Sequence, residues 1–138
     1  MDKRTRAREL TMQALYQLDV QGNDVFETLS RFFKESEKDV AIGQLAWNWT
    51  KGTWDNLIKC DELITAATIK WQFARLSPVD KGILRLSVYH LLYCPDIPPK
   101  VVINEAIELA KKFSTDKSPA FVNGVLDAIL KKINTKNK

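Results

Sequence analysis

The sequence predicts an all-α fold, a compact domain of about seven helices in two small helical bundles. Apolar residues recur at intervals of three and four along almost the whole chain, which is the spacing of one helix face. A serine–proline pair precedes two of these stretches, as at a helix N-terminus. No strand-like alternation, hairpin dipeptide or glycine-rich phosphate loop interrupts the pattern. With 138 residues, the chain has the usual size of one domain.

The first half contains four predicted helices. The first spans about residues 4–20. The second begins at Asp24, which forms the pattern of a capping box with Glu27 three residues later. The third is expected to end at Gly52 in a left-handed conformation, so that Thr53 caps the fourth.

The second half contains three more predicted helices. Ser77 and Pro78 open the fifth as N-cap and first helical residue, with Asp80 in the first turn. A proline-rich break follows, and the sixth helix ends near two lysines that suit a helix C-terminus. Ser118 and Pro119 open the seventh in the same way as the fifth. We therefore expect residues 1–138 to form one helical domain, with lobes of about 1–70 and 71–138.

Composition limits the function classes. Cys60 and Cys94 lie far apart without a CxxC spacing, which is typical of small buried side chains in a reducing compartment, so we expect a cytoplasmic location. His90 is the only histidine, which argues against a catalytic triad or a histidine-rich metal site, and its helix position favours packing. No apolar run is long enough to span a membrane. The sequence therefore predicts no catalytic residue, metal site or cofactor.

Positive charge points to a phosphate-bearing partner. The net charge is +4, and the densest basic cluster contains Lys3, Arg4, Arg6 and Arg8. Cations at a helix N-terminus oppose the helix dipole, so we expect this segment to be extended or ordered by a partner. We also expect it to carry charge without contributing to the core. Arginine binds phosphate in a bidentate manner and stacks on bases, although a merely solvated basic end is the alternative.

Two aromatic residues are candidates for base stacking. Tyr16 is expected beside the basic cluster, away from the apolar stripe of the first helix, although it also fits the edge of the core. Phe121 follows Lys117 at the start of the last helix, where free backbone N–H groups favour anions. Its spacing with Val125 also fits a core position.

Four motifs, in their order and spacing, resemble the NusB family of bacterial transcription antitermination factors. They are R-A-R-E at residues 6–9, Q-A-L-Y at 13–16, N-E-A-I-E-L-A-K at 104–111 and F-V-N-G-V-L-D at 121–127. The resemblance covers most of residues 6–131. Part of the motif pattern can be explained by helix packing, because Gly124 is expected to let another helix pack closely against the last helix.

The resemblance implies a non-enzymatic protein that binds boxA RNA of nascent ribosomal RNA transcripts. It implies the small-subunit ribosomal protein NusE as a partner, within a larger RNA polymerase complex. RNA contacts are implied for Arg6, Arg8 and Phe121, and charge and sequence position add Lys3, Arg4 and Lys117. Tyr16 and Asp80 are implied to contact NusE. The alternative is a helical protein-interaction domain or homodimer without direct RNA contact.

Overall fold

The structure, a computed structural model, describes residues 2–68 and 73–136, and within these ranges it contains helices and no strand. The all-α prediction is confirmed. The helices are α1 (Lys3–Gln21), α2 (Phe26–Ser36), α3 (Val40–Asp55), α4 (Leu57–Ala67), α5 (Pro78–Tyr93), α6 (Pro99–Phe113) and α7 (Ser118–Lys136). Short 3-10 turns occupy Asn23–Val25 and Phe73–Arg75.

Helices α1 and α5 hold the molecule together because both contribute to two apolar cores. Leu15 of α1 and Leu86 of α5 lie in a first core with the buried faces of α2 and α3. Met12 of α1 and Leu84 of α5 lie in a second core with α4, α6 and α7. The side chain of Leu15 is completely buried. Each core is therefore closed by the same central pair of helices.

The buried face of α4 belongs to the second core, although α4 lies in the first half of the chain. Its residues Cys60, Leu63 and Ile64 pack with the C-terminal helices. The expected boundary between the lobes, at about residues 70–71, lies outside the described residues. The division into about 1–70 and 71–138 therefore stays a prediction, and the two cores follow a different grouping of helices.

Side-chain caps start helices α1, α3 and α5. Ser77 Oγ accepts a hydrogen bond from the Asp80 N–H at 3.1 Å, which confirms the predicted start of α5. Asp39 caps α3, and Asp2 accepts from the Arg4 N–H at 2.7 Å to cap α1. The expectation of an extended N-terminal segment is wrong, because an acidic cap satisfies the first free N–H groups of α1 and offsets the unfavourable dipole.

Two expected helix boundaries in the first half are wrong. The capping box at Asp24 does not form, because α2 begins at Phe26 without a side-chain cap. Asn23 instead accepts a hydrogen bond from Trp54 Nε1 at 2.9 Å. Helix α3 continues through Gly52 to Asp55. Within the described ranges, Gly22 is the residue with positive φ, at 86°, and it ends α1.

Gly52 serves close packing rather than helix termination. A Cβ atom there would overlap the hydroxyl and ring of Tyr89 on α5, so only glycine lets this ring lie against α3. Gly124 of α7 has the opposite environment. A Cβ atom at Gly124 would meet no atom within 4 Å, so the expectation that it admits a neighbouring helix is wrong.

Replacing these two helical glycines with alanine should have opposite effects on stability. Alanine is favoured over glycine by about 1 kcal/mol in a helix, so Gly124→Ala should raise the free energy of unfolding by about that amount. Gly52→Ala should lower it by about 1–3 kcal/mol, because Tyr89 must move. Urea unfolding of both variants checks this. A stabilised Gly52→Ala variant would show that the Tyr89 contact imposes no constraint.

Candidate nucleic-acid interface

Helix α6 contacts both the N-terminal turns of α1 and helix α7. Thr5 Oγ1 donates a hydrogen bond to Glu105 at 2.8 Å, and Lys112 Nζ donates to Glu9 at 2.7 Å. Helix α6 ends at Phe113, five residues before Ser118 begins α7. Helix α6 is thus the element in contact with both α1 and α7, the two helices at whose N-termini the RNA candidates lie.

Lys3 and Arg4 are the exposed cations at the N-terminus. Lys3 pairs with Asp39 at 3.2 Å, and Arg4 pairs with Asp96 at 3.5 Å. Ion pairs in solvent contribute little to stability, typically about 0–1 kcal/mol. Phosphate groups can therefore replace these carboxylates at low cost.

Arg6 is half-buried and connects α1 to the segment between α2 and α3. Its guanidinium donates to Glu37 Oε2 at 3.1 Å, to Glu9 Oε1 at 3.2 Å and to the Ser36 carbonyl at 3.0 Å. The pKa of Glu37 is lowered, first by the backbone N–H of Asp39 and then by Arg6. Each of the three guanidinium nitrogens of Arg6 therefore already donates a hydrogen bond within the chain.

Arg8 faces the interior. Its side chain is buried, with the guanidinium 3.4 Å from Glu105 and 5.5 Å from the centre of the Trp49 ring. Burial lowers the pKa of Arg8. We expected the N-terminal basic segment to contribute charge but no side chain to the apolar core. This expectation is wrong, because Arg8 is buried and Ala7 is completely buried.

His90 of α5 packs against Trp49, as expected from its position on a helix. The ring is buried, and its centre lies 4.4 Å from that of Trp49. Burial lowers the pKa of His90 to about 3, with further lowering by Arg8 and Arg4, so the imidazole is neutral at pH 7. Within the part of the chain that the structure describes, Arg8 Nε and His90 Nε2 are buried without a hydrogen-bond partner.

Lys117 and Phe121 lie at the start of α7. Lys117 is exposed and forms no ion pair with any residue that the structure describes. Phe121 is half-buried at the edge of the second core, and its N–H donates to the Lys117 carbonyl at 3.2 Å. The sequence left open whether Phe121 is exposed for base stacking or buried in the core. The ring is partly in each environment, because one part packs on the core and the rest is in solvent.

Tyr16 and Asp80, the expected partner contacts, differ in environment. Tyr16 is 41% exposed, and Val20 on the next turn of α1 is 55% exposed, so they form a small apolar patch. Asp80 is half-buried and accepts hydrogen bonds from Ser114 Oγ at 2.7 Å and Ser118 Oγ at 3.1 Å. Asp80 therefore also fixes the link between α6 and α7 against α5.

Sequence reasoning missed the role of Glu9. This carboxylate is buried and bridges Arg6 of the same helix to Lys112 on α6. The spacing of three residues between Arg6 and Glu9 was a local signal for one of the two pairs. The pair with Lys112 joins residues 103 positions apart and gives no local signal.

The described residues contain no group of three or more His, Cys, Asp or Glu side chains placed to hold a metal ion. In the same ranges, no helix combines the length and the apolar character needed to cross a membrane. The two cysteines are free thiols, and Cys60 is buried whereas Cys94 is half-buried.

Comparison with known proteins finds the NusB family along nearly the whole chain. The family model matches residues 5–131. The transcription antitermination protein NusB of Anaeromyxobacter dehalogenans (strain 2CP-1 / ATCC BAA-258) is 46% identical over 128 residues, which are 92% of this chain and 89% of the relative.

Two solved structures are also similar. NusB of T. maritima superimposes with a TM-score of 0.85 and 38% identity, over 95% of this chain and 92% of that one. A chain from a crystal structure of antitermination factors NusB and NusE in complex with dsRNA gives a TM-score of 0.82 and 27% identity. That likeness covers 96% of this chain and 98% of the other.

The neutral state of His90 should make stability depend on pH. In the unfolded chain a histidine has a pKa near 6.5, whereas the folded pKa is about 3. As pH falls below about 6.5, the histidine therefore binds a proton in the unfolded chain but not in the folded one. The free energy of unfolding should then fall by up to about 1.4 kcal/mol per pH unit.

Urea unfolding between pH 7 and pH 5 measures this slope, in a range above the usual carboxylate pKa values. The slope should be much smaller in His90→Leu, whatever the absolute stability of that variant. Equal slopes in the two proteins would contradict a neutral, buried imidazole.

Proposed function

Because the chain belongs to the NusB family, we propose that it is a transcription antitermination factor that binds boxA RNA of nascent ribosomal RNA transcripts together with NusE. The match of sequence and fold along nearly the whole chain carries this proposal. The solved complex of a related NusB with NusE and RNA supports both partners. The role is non-enzymatic and is exerted in the cytoplasm, where RNA polymerase and the nascent transcript are found.

We propose that the exposed cations Lys3, Arg4 and Lys117 contact RNA phosphates, and that Phe121 stacks on a base. Phosphate contacts supply most of the affinity for nucleic acid, and aromatic rings add sequence-tolerant stacking. Arg6 and Arg8, also RNA candidates from the resemblance, act mainly by fixing α1 against its neighbours. An RNA contact by Arg6 requires it to exchange a carboxylate for a phosphate.

The NusE contact is proposed for the patch of Tyr16 and Val20 on α1. An exposed aromatic residue with a neighbouring aliphatic one is typical of the centre of a protein interface. Asp80 contributes to this contact through the position of the link between α6 and α7. The alternative, an interaction domain or homodimer without RNA contact, uses the same patch but predicts no RNA binding.

The salt dependence of RNA binding tests the proposed function. A titration of boxA RNA at several salt concentrations should give a linear fall of log affinity with log salt. Lys117→Gln should reduce this slope by about 0.7, the value for one phosphate contact on a single strand. Lys132→Gln, at an exposed lysine of α7, is the matched control. The absence of measurable RNA binding by the wild type would favour the protein-interaction alternative.

Phe121→Ala should separate stacking from packing. Loss of one stacked base costs about 1–3 kcal/mol, so the affinity for boxA RNA should fall about tenfold to a hundredfold. Phe121→Tyr keeps the ring and should restore most of the affinity. Because the ring also touches the second core, we expect a moderate decrease in thermal midpoint. Unchanged RNA affinity in a folded Phe121→Ala protein would assign this residue to packing alone.

A further inference from the structure

A groove between α2 and α3 lies next to the interface described above and shares Glu37 and Asp39 with it. It has a volume of about 480 Å³. Phe33 forms a buried floor, and Val40, Gly43 and Trp47 of α3 line one side. Val40 is 83% exposed, which is unusual for an aliphatic side chain next to an aromatic cluster. The groove therefore offers an apolar surface of the size of a nucleobase or a small side chain.

The cations at the rim of the groove are free. Lys34 and Lys38 are exposed, and neither forms an ion pair with residues in the described ranges 2–68 and 73–136. The acidic side chains at the rim are Glu37 and Asp39, and they are paired with Arg6 and Lys3 respectively. The rim thus presents unpaired positive charge, whereas its negative charge is neutralised within the chain.

The groove adjoins the N-terminal cations of α1. Arg6 donates to the Ser36 carbonyl and to Glu37, and Lys3 pairs with Asp39. Of the residues that receive these contacts, Glu37 and Asp39 precede α3 and line the groove. An RNA strand that passes over Lys3 and Arg6 is therefore next to the groove, and the two carboxylates between them and the groove, Glu37 and Asp39, are already paired with these cations.

We propose that the groove receives an unpaired base from an extension of the bound RNA, with Lys34 and Lys38 contacting the flanking phosphates. This inference rests on the proposed function and adds a second RNA subsite to it. An aromatic side chain beside free cations is the arrangement that binds single strands with little sequence preference. Charge and continuity with the N-terminal cations favour RNA over an apolar helix from a protein partner.

RNA length is the first variable of the test. The probes are a boxA RNA and the same RNA extended by a few nucleotides, at the 5′ end in one probe and at the 3′ end in another. One extended RNA should bind the wild-type protein about tenfold more tightly than the core RNA, the gain expected for one stacked base. Equal affinity for all three probes would overturn the proposal.

Gly43→Leu fills the groove from within α3 and should abolish the gain while leaving the affinity for core RNA unchanged. Gly43→Ala is the matched control, because its Cβ would lie 3.9 Å from Phe33 Cβ, an ordinary contact, and it should keep the gain. Val40→Glu gives a second test at an exposed position, without change to the core. A gain retained in folded Gly43→Leu and Val40→Glu proteins would overturn the subsite.

The lysines are tested by salt dependence. The double variant Lys34→Gln/Lys38→Gln should lower the slope of log affinity against log salt by about 1.4 for the extended RNA only. The control pair Lys59→Gln/Lys132→Gln, exposed lysines on α4 and α7, should leave this slope unchanged.

Different results would contradict the proposed function and the groove subsite. Failure of core RNA to bind would contradict the proposed function, whereas binding of core RNA without a length effect contradicts only the groove. If the groove variants weaken NusE binding and keep the RNA gain, the groove belongs to the protein partner and the RNA subsite is wrong.

Discussion

The enclosure of α1 is the constraint on which the rest of the structure depends. Residues 7–12 are buried one after another, so this helix has no solvent-facing side over nearly two turns. Charged side chains in such a stretch need partners inside the protein, because an unpaired buried charge is strongly destabilising. Arg8 and Glu9 meet this need through Glu105 and Lys112 of α6.

These pairs also position the surface. Glu9 receives Arg6 from its own helix and Lys112 from α6, and Arg6 reaches on to the segment before α3. The N-terminal turns of α1 are thereby fixed between α6 and the segment between α2 and α3. A rigid arrangement of charges reduces the entropy that RNA binding must otherwise overcome.

The basic cluster of the sequence separates into two classes in three dimensions. Lys3 and Arg4 stay in solvent with weak partners, whereas Arg6 and Arg8 are held by carboxylates close to the protein interior. The number of basic residues in the N-terminal cluster is therefore larger than the number of exposed cations that can bind phosphate. Lys117 and the cations beside the α2–α3 groove supply free charge that the N-terminal cluster alone does not.

The sequence by itself determined the helical fold, the start of α5 and the family. Apolar periodicity, an N-cap followed by proline and contiguous motifs are local signals, readable without knowledge of distant contacts. Only the tertiary structure decided why Gly52 is glycine, where Arg8 points and which residue holds Lys112. Each depends on a contact between helices far apart in sequence: Tyr89 against Gly52, Glu105 against Arg8, and Glu9 against Lys112. A helix periodicity predicts which face is buried but not what that face meets, because the partner is chosen by packing of the whole chain.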